Sequence, residues 1–199
     1  MGLLRAFLAS ELPVSLQDAI QSATRGLHET LGNDLIRWVP AHNVHLTLKF
    51  LGDVSSSNLD LIKQMLTREA AQYPAFDLEV EGIGSYPTSR RPRVLWVGLN
   101  APAALVSLQR AIETAASRLG YESEERGFSP HLTIGRIRQT ISAAELQKIR
   151  AALEATKIGK IGATRIDAVH LFKSDLQPSG SVYTKLFSAP LGPAPQSAD

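Results

Sequence analysis

Apolar and polar positions change period several times along the chain, and each change marks a new element. Residues 5–9 mix apolar side chains with one charge and read as a short strand. Leu16, Ile20, Ala23, Leu27 and Leu31 then recur at intervals of three and four, the period of a helix with one buried face. Ser15 is placed to cap that helix and Gly32 to end it. Residues 36–39 and 44–51 follow as strands, split by a turn at residues 40–43. A second helix is expected from about Ser57, burying Leu59, Ile62, Leu66 and Ala70. Phe76, Leu78 and Val80 alternate with Asp77, Glu79 and Glu81, the pattern of a half-buried strand, and residues 94–99 form another.

The second half repeats this plan. A helix is expected over residues 102–119, with Leu105, Leu108, Ile112 and Ala116 inward and Gly120 as its stop. Residues 128–138 read as a strand, and Ser142 with Glu145 forms a capping box that opens a helix carrying Leu146, Ile149 and Leu153. Strands near residues 166–172 and 182–187 close the pattern. Residues 190–199, rich in Pro, Ser and Ala, are expected to be a mobile tail on a domain of residues 1–189. Helices alternate with strands, and short polar turns join several strands, so the fold class is α+β with mostly antiparallel sheet.

The most informative feature is a repeated hexapeptide. Residues 45–50 read His-Leu-Thr-Leu-Lys-Phe, and residues 131–136 read His-Leu-Thr-Ile-Gly-Arg, 86 residues further on. Each copy is preceded by a helix and followed by a serine, Ser57 or Ser142, placed to cap the next one. The repeat therefore extends to the surrounding elements, and two related lobes are expected. Successive strand side chains alternate faces. Leu46 and Leu48 share one face while His45 and Thr47 share the other; Leu132 and Ile134 are set against His131 and Thr133 in the same way. If the lobes pack about an approximate two-fold axis, the two His-x-Thr pairs meet across a groove.

Two opposed histidines suit the opening of a cyclic phosphodiester by water. A base is needed on one side of phosphorus, and an acid on the other to protonate the departing ribose oxygen. Histidine titrates near neutrality and serves as either. Threonine hydroxyls and a nearby arginine can hydrogen-bond the non-bridging oxygens as charge builds. A single His-x-Thr in a strand is ordinarily structural, but two copies in matching contexts are hard to explain by packing, since a repeat can keep its core without keeping its polar face.

Composition narrows the alternatives. The 199 residues are 44% hydrophobic and carry a net charge of +2. That basic bias is too weak to argue for nucleic acid by itself. No apolar run approaches the roughly 20 residues that span a bilayer. No basic region precedes the apolar N-terminal stretch, so no signal peptide is expected. Ala6 stands where a myristoylation signal has Ser or Thr. The absence of cysteine excludes disulfides, thiol nucleophiles and thiolate metal sites, and a cytoplasmic protein fits best.

The paired motifs resemble the two-histidine phosphoesterase superfamily, and within it the RNA 2′,3′-cyclic phosphodiesterases, also called 2′-5′ RNA ligase-like or LigT-like proteins. The likeness runs to about residue 188. It rests on Arg5-Ala6-Phe7, Trp38, residues 43–52, Arg93-Val94-Leu95-Trp96, residues 126–136, Ser174 and Gly180-Ser181-Val182-Tyr183. The resemblance implies two pseudo-symmetric lobes of mostly antiparallel sheet, with outer helices around a central, positively charged groove. It implies catalytic His45 and His131, with Thr47 and Thr133 on phosphate oxygens and a 2′-phosphomonoester as product. The implied partner is RNA with a 2′,3′-cyclic phosphate end, such as tRNA fragments, or a small cyclic nucleotide. No cofactor, no metal and no membrane are expected, and the protein is expected to be a monomer. Rival readings are 2′-5′ RNA ligation on the same site and a non-catalytic module that binds RNA or phosphate. Sequence does not assign the two histidine roles; His131 as base and His45 as acid is the working expectation.

Arg136 and Phe50 occupy equivalent positions, five residues after their histidines. An ideal strand points both away from the histidine face. Phe50 is then either core or a base-stacking residue. Arg136 is costly to bury unpaired, so a bend at Gly135 that brings it to phosphate is favoured over a salt bridge between lobes. Arg90, Arg91 and Arg93 either line an RNA entry path or form a solvated turn. Arg126 is a candidate partner for Glu124 or Glu125. Trp96 and Tyr183 read as core. His42 and His45 have metal-ligand spacing without a third ligand, and His28 and His170 read as structural.

Overall fold

The computed structural model describes residues 2–124, 127–177 and 180–193. The expected pairing of Arg126, and the tail from residue 194 onward, lie outside these residues. Among the described residues, nine strands and four α-helices follow in the order β1 (Leu3–Glu11), α1 (Val14–Leu35), β2 (Ile36–Trp38), β3 (His45–Ser55), α2 (Leu59–Ala70), β4 (Phe76–Tyr86), β5 (Val94–Asn100), α3 (Ala103–Arg118), β6 (His131–Ile137), α4 (Ala143–Ala155), β7 (Lys160–Ile166), β8 (Ala168–Gln177) and β9 (Gly180–Pro190). Short 3₁₀ turns at Ala41–Asn43 and Ser56–Asn58 lead into β3 and α2.

All nine strands belong to one sheet, ordered β7-β4-β5-β6-β3-β1-β8-β9, with β2 also paired to β6. Every pair of named strands is antiparallel. The order reads as two quartets that meet at the motif strands β6 and β3, joined through Leu46 and Leu132. The expected lobes are thus halves of one curled sheet, and the residue after each motif histidine sits at their junction. The halves are interlaced. Strand β4 follows the first motif but lies in the second quartet, whereas β8 and β9 follow the second motif and lie in the first. The helices cross over as well: α1 packs on β2, β7 and α4, while α3 packs on β3 and α2.

Several elements depart from the sequence pattern for local reasons. The first helix has Pro13, not Ser15, at its N-cap; it breaks at Gly32 as expected, where that glycine adopts φ 63°, and a further short turn runs on to Leu35. The second helix begins after a 3₁₀ turn in which the Ser57 N–H donates to the Ser55 hydroxyl. Strand β7 leaves no trace in the pattern because, of its seven residues, only Ile166 is buried. The Ser142–Glu145 capping box is formed in full. Pro190 ends β9, and the Leu191 and Gly192 N–H groups donate to the carbonyls of Asp167 and Tyr73, 2.7 and 2.8 Å away. Among the described residues, no helix is long and apolar enough to cross a membrane.

One charged side chain lies deep in the core. Lys49 is 2% exposed. Its ammonium donates to Glu113 Oε1 on α3 at 2.6 Å and to the Glu122 carbonyl. Gln109 Nε2 reaches Glu113 Oε2 at 3.4 Å and the Leu48 carbonyl at 3.3 Å, so the node ties α3 to the first motif strand. Removing one partner of a buried pair leaves a desolvated charge behind. Glu113→Ala is therefore expected to lower the unfolding free energy by about 3 kcal/mol or more in urea titrations. A Lys49→Met/Glu113→Leu double variant is expected to recover most of that loss.

Candidate active site

The two motif strands carry the same burial sequence over seven residues: histidine half-buried, then buried, half-buried, buried, buried, exposed, buried. Two consecutive buried residues break the alternation at the same place in each copy. The registers show the cause. Leu8 pairs with Lys49 and Ala9 with Thr47, so Leu48 is an extra residue on β3. Leu95 pairs with Gly135 and Trp96 with Thr133, so Ile134 is an extra residue on β6. Each is a β-bulge, which reverses the facing of the side chains that directly follow it. Lys49 is turned into the core, and the equivalent Gly135 lies where a Cβ would meet Ile36 Cγ2 at 2.7 Å and Trp38 Cε3 at 3.0 Å. Phe50 and Arg136 are turned to the face that carries the histidines. The bend expected at Gly135 is present, and an equal one occurs on β3 without a glycine.

His45, Thr47, Phe50, His131, Thr133 and Arg136 all line one groove of about 510 Å³ on the concave face of the sheet. The register that pairs Leu46 with Leu132 sets each histidine across from the other motif's threonine. Phe50 is 52% exposed and belongs to the groove, which settles the core-or-stacking alternative against core. Arg136 joins no ion pair among the described residues.

Both imidazoles are held in the same way. His45 Nδ1 lies 2.7 Å from the Asn43 carbonyl oxygen, and His131 Nδ1 lies 2.7 Å from that of Ser129. A carbonyl only accepts, so each ring carries its proton on Nδ1 and leaves Nε2 free to give or take a proton. Asn43 is itself fixed, donating from Nδ2 to the Ser181 carbonyl at 2.9 Å. Aromatic rings pack the imidazoles in place. Phe7 stacks on His45 at 4.9 Å and Tyr183 meets it edge-on at 5.3 Å, while Tyr86 meets His131 edge-on at 4.9 Å.

Burial holds both histidines below the ordinary range, and the Arg136 charge lowers both further. Their carbonyl hydrogen bonds act the other way. His45 is the more deeply buried of the two, but one charge acts on it alone. Strand β1 places Glu11 directly opposite His45, and its carboxylate favours the charged imidazole; strand β5 places Gly98 opposite His131. Glu11 is not legible in the sequence, because its role depends on the β1–β3 register.

Other candidates fall elsewhere. Arg90, Arg91 and Arg93 are exposed in the turn between β4 and β5; Tyr86 and Val94 on either side line the groove, but the arginines do not. Tyr183, expected in the core, instead faces the groove, while its neighbour Val182 is exposed. Trp96 is half-buried and lies over Gly84, where a Cβ would clash with the indole at 2.3 Å. His28 stacks on Trp38 at 3.6 Å, and His170 Nδ1 lies 2.9 Å from Ser188 Oγ. Among the described residues, no three His, Asp or Glu side chains are grouped to share a metal ion.

Residues 12–178 match a family model described as the 2'-5' RNA ligase superfamily. A Methanothermobacter thermautotrophicus protein named RNA 2',3'-cyclic phosphodiesterase is 31% identical over 184 residues, spanning 92% of this chain and 96% of the relative. An Escherichia coli protein of the same name is 32% identical over 131 residues, spanning 65% of this chain and 70% of the relative. Among solved structures, E. coli LigT complexed with 3'-AMP superposes with a TM-score of 0.75 at 26% identity, covering 96% of this chain and 99% of that one. A Thermus thermophilus protein gives 0.79 at 24% identity with the same coverage, a likeness of fold.

The shared influence of Arg136 yields a direct test. In NMR titrations, His45 and His131 are expected to titrate below the ordinary histidine value, and Arg136→Gln is expected to move both midpoints upward. Glu11→Gln is expected to lower His45 and leave His131 unmoved.

Proposed function

Since this chain belongs to the 2′-5′ RNA ligase superfamily, we propose that it opens 2′,3′-cyclic phosphate ends of RNA to 2′-phosphomonoesters, with His45 and His131 as its acid–base pair. The observation that carries this reading is the matched pair of Nδ1–carbonyl bonds. They fix one tautomer in both rings and give a single groove two equivalent Nε2 atoms. The relatives' printed activity fits that chemistry.

In the step that follows, His131 Nε2 takes a proton from water as the water oxygen attacks phosphorus. The bond from phosphorus to the ribose 3′ oxygen breaks, and that oxygen receives the proton carried on His45 Nε2. The phosphate stays on the 2′ oxygen. Glu11 beside His45, against Gly98 beside His131, supports this order, because the acid must hold its proton more firmly than the base. Thr47 and Thr133 donate to the non-bridging oxygens and Arg136 balances their charge. Phe50 offers its ring to the terminal nucleoside. Residues 1–189 act as one two-lobed unit, working in the cytoplasm as a monomer without cofactor. In 2′-5′ joining of RNA ends, the two histidines would exchange roles.

The test is incubation with an oligoribonucleotide ending in a 2′,3′-cyclic phosphate, with product position read by phosphorus NMR. A 2′-phosphate is expected, at the same rate in a chelator. His45→Ala and His131→Ala are each expected to lower kcat by about 10²–10⁴-fold. Wild type that binds the RNA without turnover would instead favour a binding module.

The pH dependence follows from the same groups. Both histidines sit below the ordinary value of 6.5 in the free protein. The ascending limb of kcat/KM marks deprotonation of the base and the descending limb loss of the acid's proton. The maximum is therefore expected on the acid side of 6.5, and Arg136→Gln is expected to shift it to higher pH while lowering its height.

A further inference from the structure

Strand β2 fills the edge of β6 beyond the point where β3 departs. Its register pairs Ile36 with Ile137, Arg37 with Arg136 and Trp38 with Gly135. Residues directly opposite in an antiparallel pair extend from the same face. Ile36 and Ile137 are buried in the core, and Arg136 lines the groove. Arg37 therefore stands beside Arg136 on the concave face. Val39, two residues along from Arg37, also lines the groove, so Arg37 continues that wall onto the rim.

Two like charges directly opposite one another on a sheet repel. Neither guanidinium is relieved by a carboxylate among the described residues, although Arg165, Lys160 and Lys185 in the same sheet each have one. Arg138, two residues beyond Arg136, spends its guanidinium on the Asn33 carbonyl. Arg37 and Arg136 thus form an exposed dication at the mouth of the groove, with cross-strand Cβ atoms about 5 Å apart. That spacing lets two planar forks close on one phosphate. The groove has room for a terminal nucleotide, so any preceding chain leaves across a rim. The opposite rim carries Phe50 and Leu176, both apolar and exposed.

We propose that Arg37 and Arg136 form a second phosphate subsite, which takes the first internucleotide phosphodiester of a single-stranded RNA whose terminal phosphate occupies the groove. This rests on the groove being the site of the terminal phosphate. Arg136 spans the two phosphates and Arg37 contacts only the second. The subsite makes RNA chain ends better ligands than isolated nucleotides.

The test compares an oligoribonucleotide ending in a 2′-phosphate with a nucleoside 2′-phosphate, by fluorescence anisotropy and competition. Both are products, so binding is read without turnover. Arg37→Gln is expected to weaken the oligonucleotide roughly tenfold. It is expected to reduce the slope of log affinity against log salt by about 0.7. Its affinity for the nucleoside phosphate is expected to match wild type, with Arg37→Lys intermediate on the oligonucleotide. Unchanged oligonucleotide affinity and salt slope would overturn the subsite, as would equal loss on both ligands. Cyclic-end turnover by the wild type is scored separately: its absence strikes at the proposed activity, while the subsite still stands or falls on the binding comparison.

Discussion

One extra residue in each motif strand decides which side chains reach the groove. Without Leu48 and Ile134 bulged out of register, Phe50 and Arg136 would lie under the sheet and Lys49 would point into the groove. The bulges reverse this. An aromatic ring and a guanidinium enter the cavity at equivalent places, while a lysine and a glycine go beneath. The buried lysine then needs Glu113, and the glycine makes room for Ile36 and Trp38. A displacement of one residue, applied twice, therefore shapes both the cavity and the packing behind it.

The pair of bulges also explains how a duplicated frame supports a reaction that is not symmetric. The histidines, threonines and carbonyl latches repeat faithfully. The differences are placed around them: Phe50 against Arg136, and Glu11 against Gly98. Repetition supplies two imidazoles held alike, and the departures from repetition give them different surroundings. Burial lowers the proton affinity of both rings, Arg136 lowers both further, and Glu11 raises that of His45.

Much of this is readable from the chain. The paired His-x-Thr hexapeptides bring the four central side chains together as expected, and the Ser142–Glu145 capping box is formed as written, because both depend on residues close in sequence. Gly135 advertises one bulge; nothing advertises the other, since Leu48 and Lys49 are ordinary strand residues and the irregularity arises from pairing with β1. Glu11 and Arg37 are illegible for the same reason, their neighbours being set by register across distant segments. Strand β7 is invisible because an edge strand with one buried residue has no period to detect. Tyr183 reads as core on composition, whereas its strand turns it toward His45.

The interlacing of the two quartets bears on how the molecule comes into being. Strand β1 pairs on one side with β3 and on the other with β8, so Ala6 waits for Lys173. Strand β4 likewise waits for β5 on one edge and β7 on the other. Contacts so distant along the chain make closure slow relative to local structure. A nascent chain emerging from the ribosome holds both His-x-Thr segments well before β8 and β9 arrive. Asn43, which latches His45, has no carbonyl to grip until Ser181 is made. Cleft assembly is therefore among the last events in the life of the growing polypeptide, and no half-made molecule carries a finished cavity.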